Sequence, residues 1–224
     1  MPPTRLVIFD CDGVLIDSEM ISARMLVEEL SRLGLSIDLD YVARHFLGRF
    51  YPVVMETIRR EFGLDLPPAF EDRYRERLLA AFQTDLRIMP GVREVIEGLA
   101  LPCCVATSSS PRRVAMSLAH VGLAPLVEGR VFTATQVSRG KPAPDLFLFA
   151  AAQMGVAPAD CLVIEDSLTG IRAARAAGMP VWRFTGGSHL QGRDGPEPED
   201  AQPDARFSSF ADFATLAPEL MRPV

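Results

Sequence analysis

The first apolar run in the chain is short and ends in an acidic residue. Residues 5–10 read RLVIFD. A brief apolar run bounded by polar residues predicts a short buried strand. The strand leads directly into Asp10, Cys11 and Asp12, so a polar turn follows it.

Residues 18–84 carry a helical pattern instead. Apolar residues recur three or four positions apart, and Gly34 and Gly63 interrupt the repeat. This spacing predicts three or four amphipathic helices joined by short links. The apolar positions that define these helices are Ile21, Met25, Leu26, Leu30 and Leu33, then Val54, Ile58 and Phe62, and finally Phe70, Tyr74, Leu78 and Phe82.

From about residue 88 onwards, helical and strand patterns alternate. Strands are predicted at CCVAT, RVFTA, CLVIED and PVWRF, with a helical segment before the first strand and between each pair. Strands that alternate with helices form a parallel sheet covered by helices on both faces. Residues 186–206 are rich in glycine, proline and polar residues, and we expect a loop there.

These patterns predict the α/β fold class, with a doubly wound parallel sheet and an inserted α-helical cap domain. The helical stretch interrupts the α/β pattern just after the first strand. We therefore expect a core domain of residues 1–14 and 85–224 and a cap domain of residues 15–84. Ligands in such sheets bind beyond the carboxyl ends of the strands. We expect the cap to open and close about hinges near residues 14–18 and 83–88.

Composition narrows the class of protein. The 224 residues are 48% apolar and 23% charged, which is ordinary for a globular protein. A net charge of −6 argues against a nucleic-acid partner. No apolar run approaches the roughly 18 residues of a membrane span, and the N-terminus lacks a signal-peptide pattern. We expect a cytoplasmic protein with no membrane partner, monomeric or alternatively a weak dimer. The four cysteines form no CxxC pair, which argues against zinc or disulfides.

Polar residues follow four of the predicted strands, and each cluster alone is also typical of a turn or a helix cap. At the shared edge of a parallel sheet, three or more carboxylates would repel one another unless a cation lay among them. Oxygen ligands without His or Cys favour a hard ion, and Mg²⁺ fits best. The hydroxyls and the ammonium suit phosphate oxygens. The clusters are Asp10 with Asp12, the run Thr107–Ser110, Lys141, and Glu165 with Asp166.

Lys141 is the only lysine in a chain with 22 arginines. Arginine ends in a wide planar fork, whereas lysine ends in a compact point charge. A small pocket that also holds a phosphate and two carboxylates has room for the lysine ammonium but not for the arginine guanidinium. The alternative is that Lys141 survives by chance in an arginine-rich composition; its position favours a functional role.

These residues resemble the four motifs of the haloacid dehalogenase (HAD) superfamily. FDCDGVLIDSE matches the first motif, Thr107 after CCVA the second, Lys141 in GKPAPDLF the third and IEDSLTGI the fourth. The helical insertion is similar to the C1-type cap of the beta-phosphoglucomutase and phosphoglycolate-phosphatase-like branch. The resemblance covers nearly the whole chain and implies a HAD-like Rossmannoid core.

The resemblance also implies a role for each motif residue. Asp10 is expected to be the nucleophile that forms an aspartyl-phosphate, and Asp12 the acid and base that serves the leaving alcohol and then water. Thr107, Ser108 and Lys141 are expected to bind the phosphoryl group. The expected cofactor is Mg²⁺, with the ligand set Asp10, Asp12 (through its backbone carbonyl), Asp166 and Glu165, the last as a ligand or beside the ligands.

The same resemblance separates two reactions. Mutases of this branch carry a His where this chain has Ser22, and a phosphate-gripping Arg where it has Tyr51, although Arg49 lies nearby. We therefore predict a Mg²⁺-dependent phosphatase that hydrolyses a small phosphorylated metabolite, a sugar or sugar-acid phosphate. A sugar phosphomutase of the beta-phosphoglucomutase type is the alternative. The non-enzymatic alternative is a phospho-aspartate signalling domain, although such domains are shorter and carry their acceptor Asp on a later strand.

Substrate choice is expected to lie with the cap, because the core motifs handle only the phosphoryl group. The candidates are Glu19, His45, Arg49, Arg73 and Arg77, and for all but Arg49 a solvated helix face is the competing interpretation. Outside the cap, His189 in TGGSH either borders the site or is a plain loop residue.

Overall fold

The computed structural model describes residues 3–46, 51–192 and 195–223. Within these ranges six strands form one sheet in the order β3-β2-β1-β4-β5-β6, and all neighbouring strands are parallel. The α/β fold with a doubly wound parallel sheet is therefore confirmed. The strands are β1 (Leu6–Phe9), β2 (Cys103–Thr107), β3 (Val131–Thr133), β4 (Cys161–Glu165), β5 (Val181–Phe184) and β6 (Ala205–Phe207).

Four helices lie in the described part of the stretch after β1 that was predicted to be helical. They are α1 (Glu19–Ser31), α2 (Leu39–His45), α3 (Tyr51–Phe62) and α4 (Phe70–Asp85). The division into a core and a cap domain, and the hinges between them, stay predictions. The later helices are α5 (Val92–Gly98), α6 (Pro111–His120), α7 (Asp145–Gln153), α8 (Leu168–Ala176) and α9 (Phe213–Leu216). Within the described ranges, no helix combines the length and the apolar character needed to cross a membrane.

Both faces of the sheet are covered, which explains the uninterrupted apolar strands. In β1, Leu6 and Ile8 point into the cluster beneath α7 and α8. Val7 and Phe9 point to the other face, into a larger cluster that continues through α5, α6 and the inserted helices. A strand buried on both sides needs apolar residues at every position rather than at alternate ones.

The prediction of a loop over residues 186–206 is wrong at its end. Ala205 and Arg206 begin β6, in which Arg206 lies opposite Arg183 of β5. The strand has three residues. Unlike the equally short β3, it contains an exposed charged residue, Arg206, and the glycines and prolines before it hide its start.

Candidate active site

The sheet order brings the predicted polar clusters to one edge. Because β1 lies between β2 and β4, the carboxyl ends of these strands are adjacent. Asp10 follows β1, Thr107 closes β2 and Glu165 closes β4, while Lys141 comes from the loop between β3 and α7. All four residues line a cavity of about 580 Å³ that extends towards the inserted helices.

The ammonium of Lys141 joins two of the acids. Its Nζ lies 2.5 Å from Oδ1 of Asp10 and 2.8 Å from Oε1 of Glu165. The side chain is only 2% exposed, and Nζ lies 4.8 Å from the ring centroid of Phe147. Burial lowers the pKa of Lys141, but the two carboxylates outweigh it, so the net shift is upward and the charge is kept. This enclosure leaves little room for the wider guanidinium of an arginine.

Three buried acids form a group that suits a divalent cation. Carboxylate oxygens of Asp10, Glu165 and Asp166 lie within 4.8 Å of one another. Burial raises the pKa of both Asp10 and Asp166 well above the usual range; neighbouring acids add to the rise, and Lys141 opposes it. A cation among such acids would relieve their repulsion, and an all-oxygen set of this kind fits Mg²⁺.

Two residues outside the group of three acids also contact Asp166. Nε2 of His189 lies 2.9 Å from Oδ2 of Asp166, and both side chains are buried. Nε of Arg183 donates to the backbone carbonyl of Asp166 at 3.1 Å. Of the two interpretations left open for His189, the structure thus supports the one in which it borders the site.

The carboxylate of Asp12 is held by two hydroxyls and a guanidinium. Ser18 donates to its Oδ1 and Ser109 to its Oδ2, both at 2.5 Å, and Nη2 of Arg113 lies 2.6 Å from Oδ1. Burial raises the pKa of Asp12, but Arg113 and the two hydroxyls lower it, and the net shift is downward. The pKa values of Asp10 and Asp12 are therefore shifted in opposite directions, which is typical of paired acids with different roles.

Arg113 was not predicted. It lies in the first turn of α6, and its Nη2 donates both to Asp12 and, at 3.0 Å, to Oγ of Ser22 on α1. The sequence signal that could have indicated Arg113 is its position at the start of the helix that follows β2, two residues after Pro111 and close to the serine run.

The hydroxyls at the end of β2 differ in their hydrogen bonding. Oγ1 of Thr107 accepts a hydrogen bond from the backbone N–H of Ser109 at 3.0 Å, which curls the loop around the cavity. Oγ of Ser108 is buried without a hydrogen-bond partner among the described residues. A buried hydroxyl costs free energy unless it finds a partner, and a phosphate oxygen is a suitable one.

Of the cap residues predicted to contact substrate, Glu19 lines the cavity. It is the first residue of α1 and is 8% exposed. Burial raises the pKa of Glu19 to about 8, and the charge of Asp12 adds to the rise. In the protein without metal, Glu19 is therefore mainly protonated at neutral pH and can donate a hydrogen bond.

The other cap candidates are placed differently. His45 is exposed, and its ring packs 4.4 Å from that of Tyr41. Arg77 pairs with two acids of α1 instead of lining the cavity, and Arg73 lies 3.9 Å from one of them. Arg49 lies outside the described residues. Their role in substrate choice stays a prediction.

Aromatic and charged residues that were not predicted as substrate contacts also line the cavity. Tyr51 and Tyr74 stack with ring centroids 5.3 Å apart, and the guanidinium of Arg75 lies 5.5 Å from the ring of Tyr51. The hydroxyl of Tyr51 is buried and has no hydrogen-bond partner within the described part of the chain. The helical period flagged Tyr74 only as a core position.

Comparison with known proteins agrees with this geometry. Residues 4–178 match the haloacid dehalogenase-like hydrolase family. A 6-phosphogluconate phosphatase of Escherichia coli K12 is 28% identical over 190 residues, which cover 84% of this chain and 86% of the relative. A fructose-1-phosphate phosphatase of the same strain is 33% identical over 176 residues, which cover 77% and 92%. A HAD family hydrolase from Deinococcus radiodurans R1, crystallised with bound phosphate and sodium, has a TM-score of 0.77 at 33% identity and full coverage of both chains.

The chain therefore belongs to the haloacid dehalogenase-like hydrolases, as its motifs predicted. Within that family it is a phosphoric monoester hydrolase, since the relatives named above are phosphatases. The alternative of a non-enzymatic phospho-aspartate signalling domain is not supported.

Proposed function

We propose that the protein is a Mg²⁺-dependent phosphatase that hydrolyses a small phosphorylated sugar or sugar acid through an aspartyl-phosphate on Asp10. The observation that carries the proposal is the environment of Asp10. Its carboxylate bonds to a buried lysine, adjoins two further acids, and opens on a cavity large enough for a small metabolite.

In the first half-reaction a carboxylate oxygen of Asp10 attacks phosphorus, and the bond from phosphorus to the ester oxygen breaks. The protonated form of Asp12 gives its proton to the departing alkoxide, which leaves as an alcohol, and Asp12 is left ionised. Lys141 offsets negative charge on Asp10 and on the transferring group, and Thr107 and Ser108 hold phosphoryl oxygens. Phosphoryl transfer relies mainly on such positioning and charge neutralisation.

In the second half-reaction Asp12 takes a proton from water, and the resulting hydroxide attacks the phosphorus of aspartyl-phosphate. The acyl–phosphate bond breaks, inorganic phosphate leaves and Asp10 is regenerated. The hydrogen bonds from Arg113 and the two serines favour the ionised form of Asp12, which is the form that a base requires.

The metal ligands in this proposal are Asp10, Asp166 and the backbone carbonyl of Asp12. Both oxygens of Glu165 already accept hydrogen bonds, from Lys141 at 2.8 Å and from the backbone N–H of Ser167 at 2.6 Å. We therefore favour Glu165 as a support beside the ligands. Bound Mg²⁺ would neutralise phosphate charge and orient the phosphoryl group.

Relatives and cavity residues support the substrate class and the choice of hydrolysis. The curated relatives are named for a phosphorylated sugar acid and a phosphorylated sugar. The mutase-type His is replaced by Ser22, whose hydroxyl accepts from Arg113, and the mutase-type Arg by Tyr51. The cytoplasmic location and the monomeric state stay predictions.

The test is phosphate release from a panel of phosphorylated sugars and sugar acids, with and without Mg²⁺. We expect Mg²⁺-dependent release by the wild type, none by Asp10→Asn, and wild-type rates for Asp145→Asn, which changes a carboxylate paired with exposed Arg139. Rapid quenching with labelled substrate should trap label on the wild type and on Asp145→Asn but not on Asp10→Asn. Equal release by Asp10→Asn would overturn the assignment, and appreciable conversion of glucose 1-phosphate to glucose 6-phosphate would favour the mutase.

A further inference from the structure

We infer that His189 is a positioning residue that fixes the carboxylate of Asp166 in the orientation needed to bind the metal. The inference rests on the proposed Mg²⁺ site, and it assigns a function to the loop that follows β5. His189 does not touch the reacting atoms in this proposal; it acts through Asp166.

The contact itself is short and shielded from solvent. Nε2 of His189 lies 2.9 Å from Oδ2 of Asp166, and the two side chains are 7% and 4% exposed. The imidazole donates to one carboxylate oxygen, so the other oxygen remains able to serve as a ligand. Carboxylates that bind metals are commonly held by such outer hydrogen bonds.

Two glycines from separate loops make room for this contact. A Cβ on Gly13 would lie 2.0 Å from Oδ2 of Asp166 and 2.9 Å from Cε1 of His189. A Cβ on Gly187 would lie 2.7 Å from Cε1 of the same ring. Any side chain at either position would displace the imidazole or the carboxylate. The pair is therefore closely enclosed, and the ring cannot swing away freely.

The loop that carries the imidazole is itself anchored. The backbone N–H and the hydroxyl of Ser188 both donate to Oδ1 of Asp17, at 3.1 and 2.8 Å. On the other side of the contact, Arg183 holds the backbone carbonyl of Asp166 and pairs with Glu197 at 2.7 Å. The main chain and the side chain of Asp166 are thus held by different residues.

The chain offers matched variants for a test by calorimetric titration of the full-length protein with MgCl₂. His189→Leu removes the donor, His189→Asn is too short to place one at the position of Nε2, and His189→Gln has the reach to do so. His120, exposed at the end of α6, provides the control His120→Leu. We expect a dissociation constant for Mg²⁺ about tenfold higher in the Leu and Asn variants, largely restored in the Gln variant and unchanged in the control.

Thermal unfolding without Mg²⁺ separates this role from a purely structural one. If the Asn and Gln variants unfold at similar temperatures yet differ in Mg²⁺ affinity, the positioning role is supported. Wild-type affinity in both the Leu and Asn variants would overturn the inference and leave the proposed function intact. If the Leu variant does not fold, the comparison of Asn with Gln decides. A wild type that binds no Mg²⁺ would overturn both the inference and the proposed magnesium site.

Discussion

Gly170 lies inside helix α8, where replacing glycine by alanine ordinarily stabilises a protein by about 1 kcal/mol. Here we expect the opposite. A Cβ at this position would lie 1.6 Å from Oε1 and 2.0 Å from Cδ of Glu165, so the carboxylate would have to move. It would then lose its bonds to Lys141 and to the backbone of Ser167.

The magnitude follows from the groups involved. Breaking a buried ion pair costs about 3–5 kcal/mol, and the helix gain offsets about 1 kcal/mol. Gly170→Ala should therefore lower the free energy of unfolding by about 2–4 kcal/mol. For a chain of this length, each kcal/mol lowers the melting temperature by about 2–4 °C, so we expect a fall of roughly 4–16 °C. Phosphatase activity should fall as well, because Lys141 loses one of its two anchors.

The assay is thermal and denaturant unfolding of Gly170→Ala beside Gly98→Ala. Gly98 is the last residue of helix α5, and its added Cβ would meet only the terminal methyl of Met221, at 2.7 Å. Methionine adapts by rotation, so this control should stay within about 1 kcal/mol of the wild type. A Gly170→Ala protein that melts at or above the wild-type temperature would refute the reasoning.

Three further predictions concern single charges. Lys141→Arg keeps the charge but is too wide for its enclosure, so we expect kcat to fall by about 10²-fold or more; a rate within tenfold of wild type would contradict this. Arg113→Leu should raise the pKa of Asp12 and move the acidic limb of the pH–rate profile to higher pH, whereas exposed Arg112→Leu should not. Glu19 has a pKa raised to about 8 in the folded protein, against an ordinary value of about 4.5. Protonated Glu19 therefore contributes its full share to the free energy of unfolding below about pH 4.5, and this share is lost as the pH rises through 8. Without metal, the Glu19→Gln variant should therefore become more stable relative to the wild type as the pH rises over that range. A difference in melting temperature between the two proteins that stays constant across several pH values would contradict the reasoning.

The core of the fold could be predicted because its signals are local. Strands β1 to β4 are short, mainly apolar runs, since a strand covered on both faces needs apolar residues throughout. Strand β5 keeps this pattern except at the half-buried Arg183. The clustering of Asp10, Lys141 and Asp166 followed from one further rule, that the carboxyl ends of parallel strands share an edge. Strand β6 was missed because its three residues include the charged Arg206 and follow a stretch rich in glycine and proline.

Apart from Glu19, the lining that the helices contribute to the cavity could not be predicted, because it depends on how each helix is rotated. Residues two apart on a helix point in nearly opposite directions. Arg75 lines the cavity, while Arg77, the predicted contact, turns to the acids of α1. The contact of Arg113 with Asp12 likewise depends on where the first turn of α6 lies against the β1 loop. Composition and spacing carry no information on either rotation.

The enclosure of Lys141 gives the chain a chemical reporter. Because it is the only lysine, an amine-reactive reagent has two targets in the unfolded polypeptide, this side chain and the terminal amine. In the folded protein the side chain is 2% exposed and should acylate only when the surrounding structure opens. The rate of incorporation of a second label per molecule would thus time the opening of the catalytic centre, with no engineered probe.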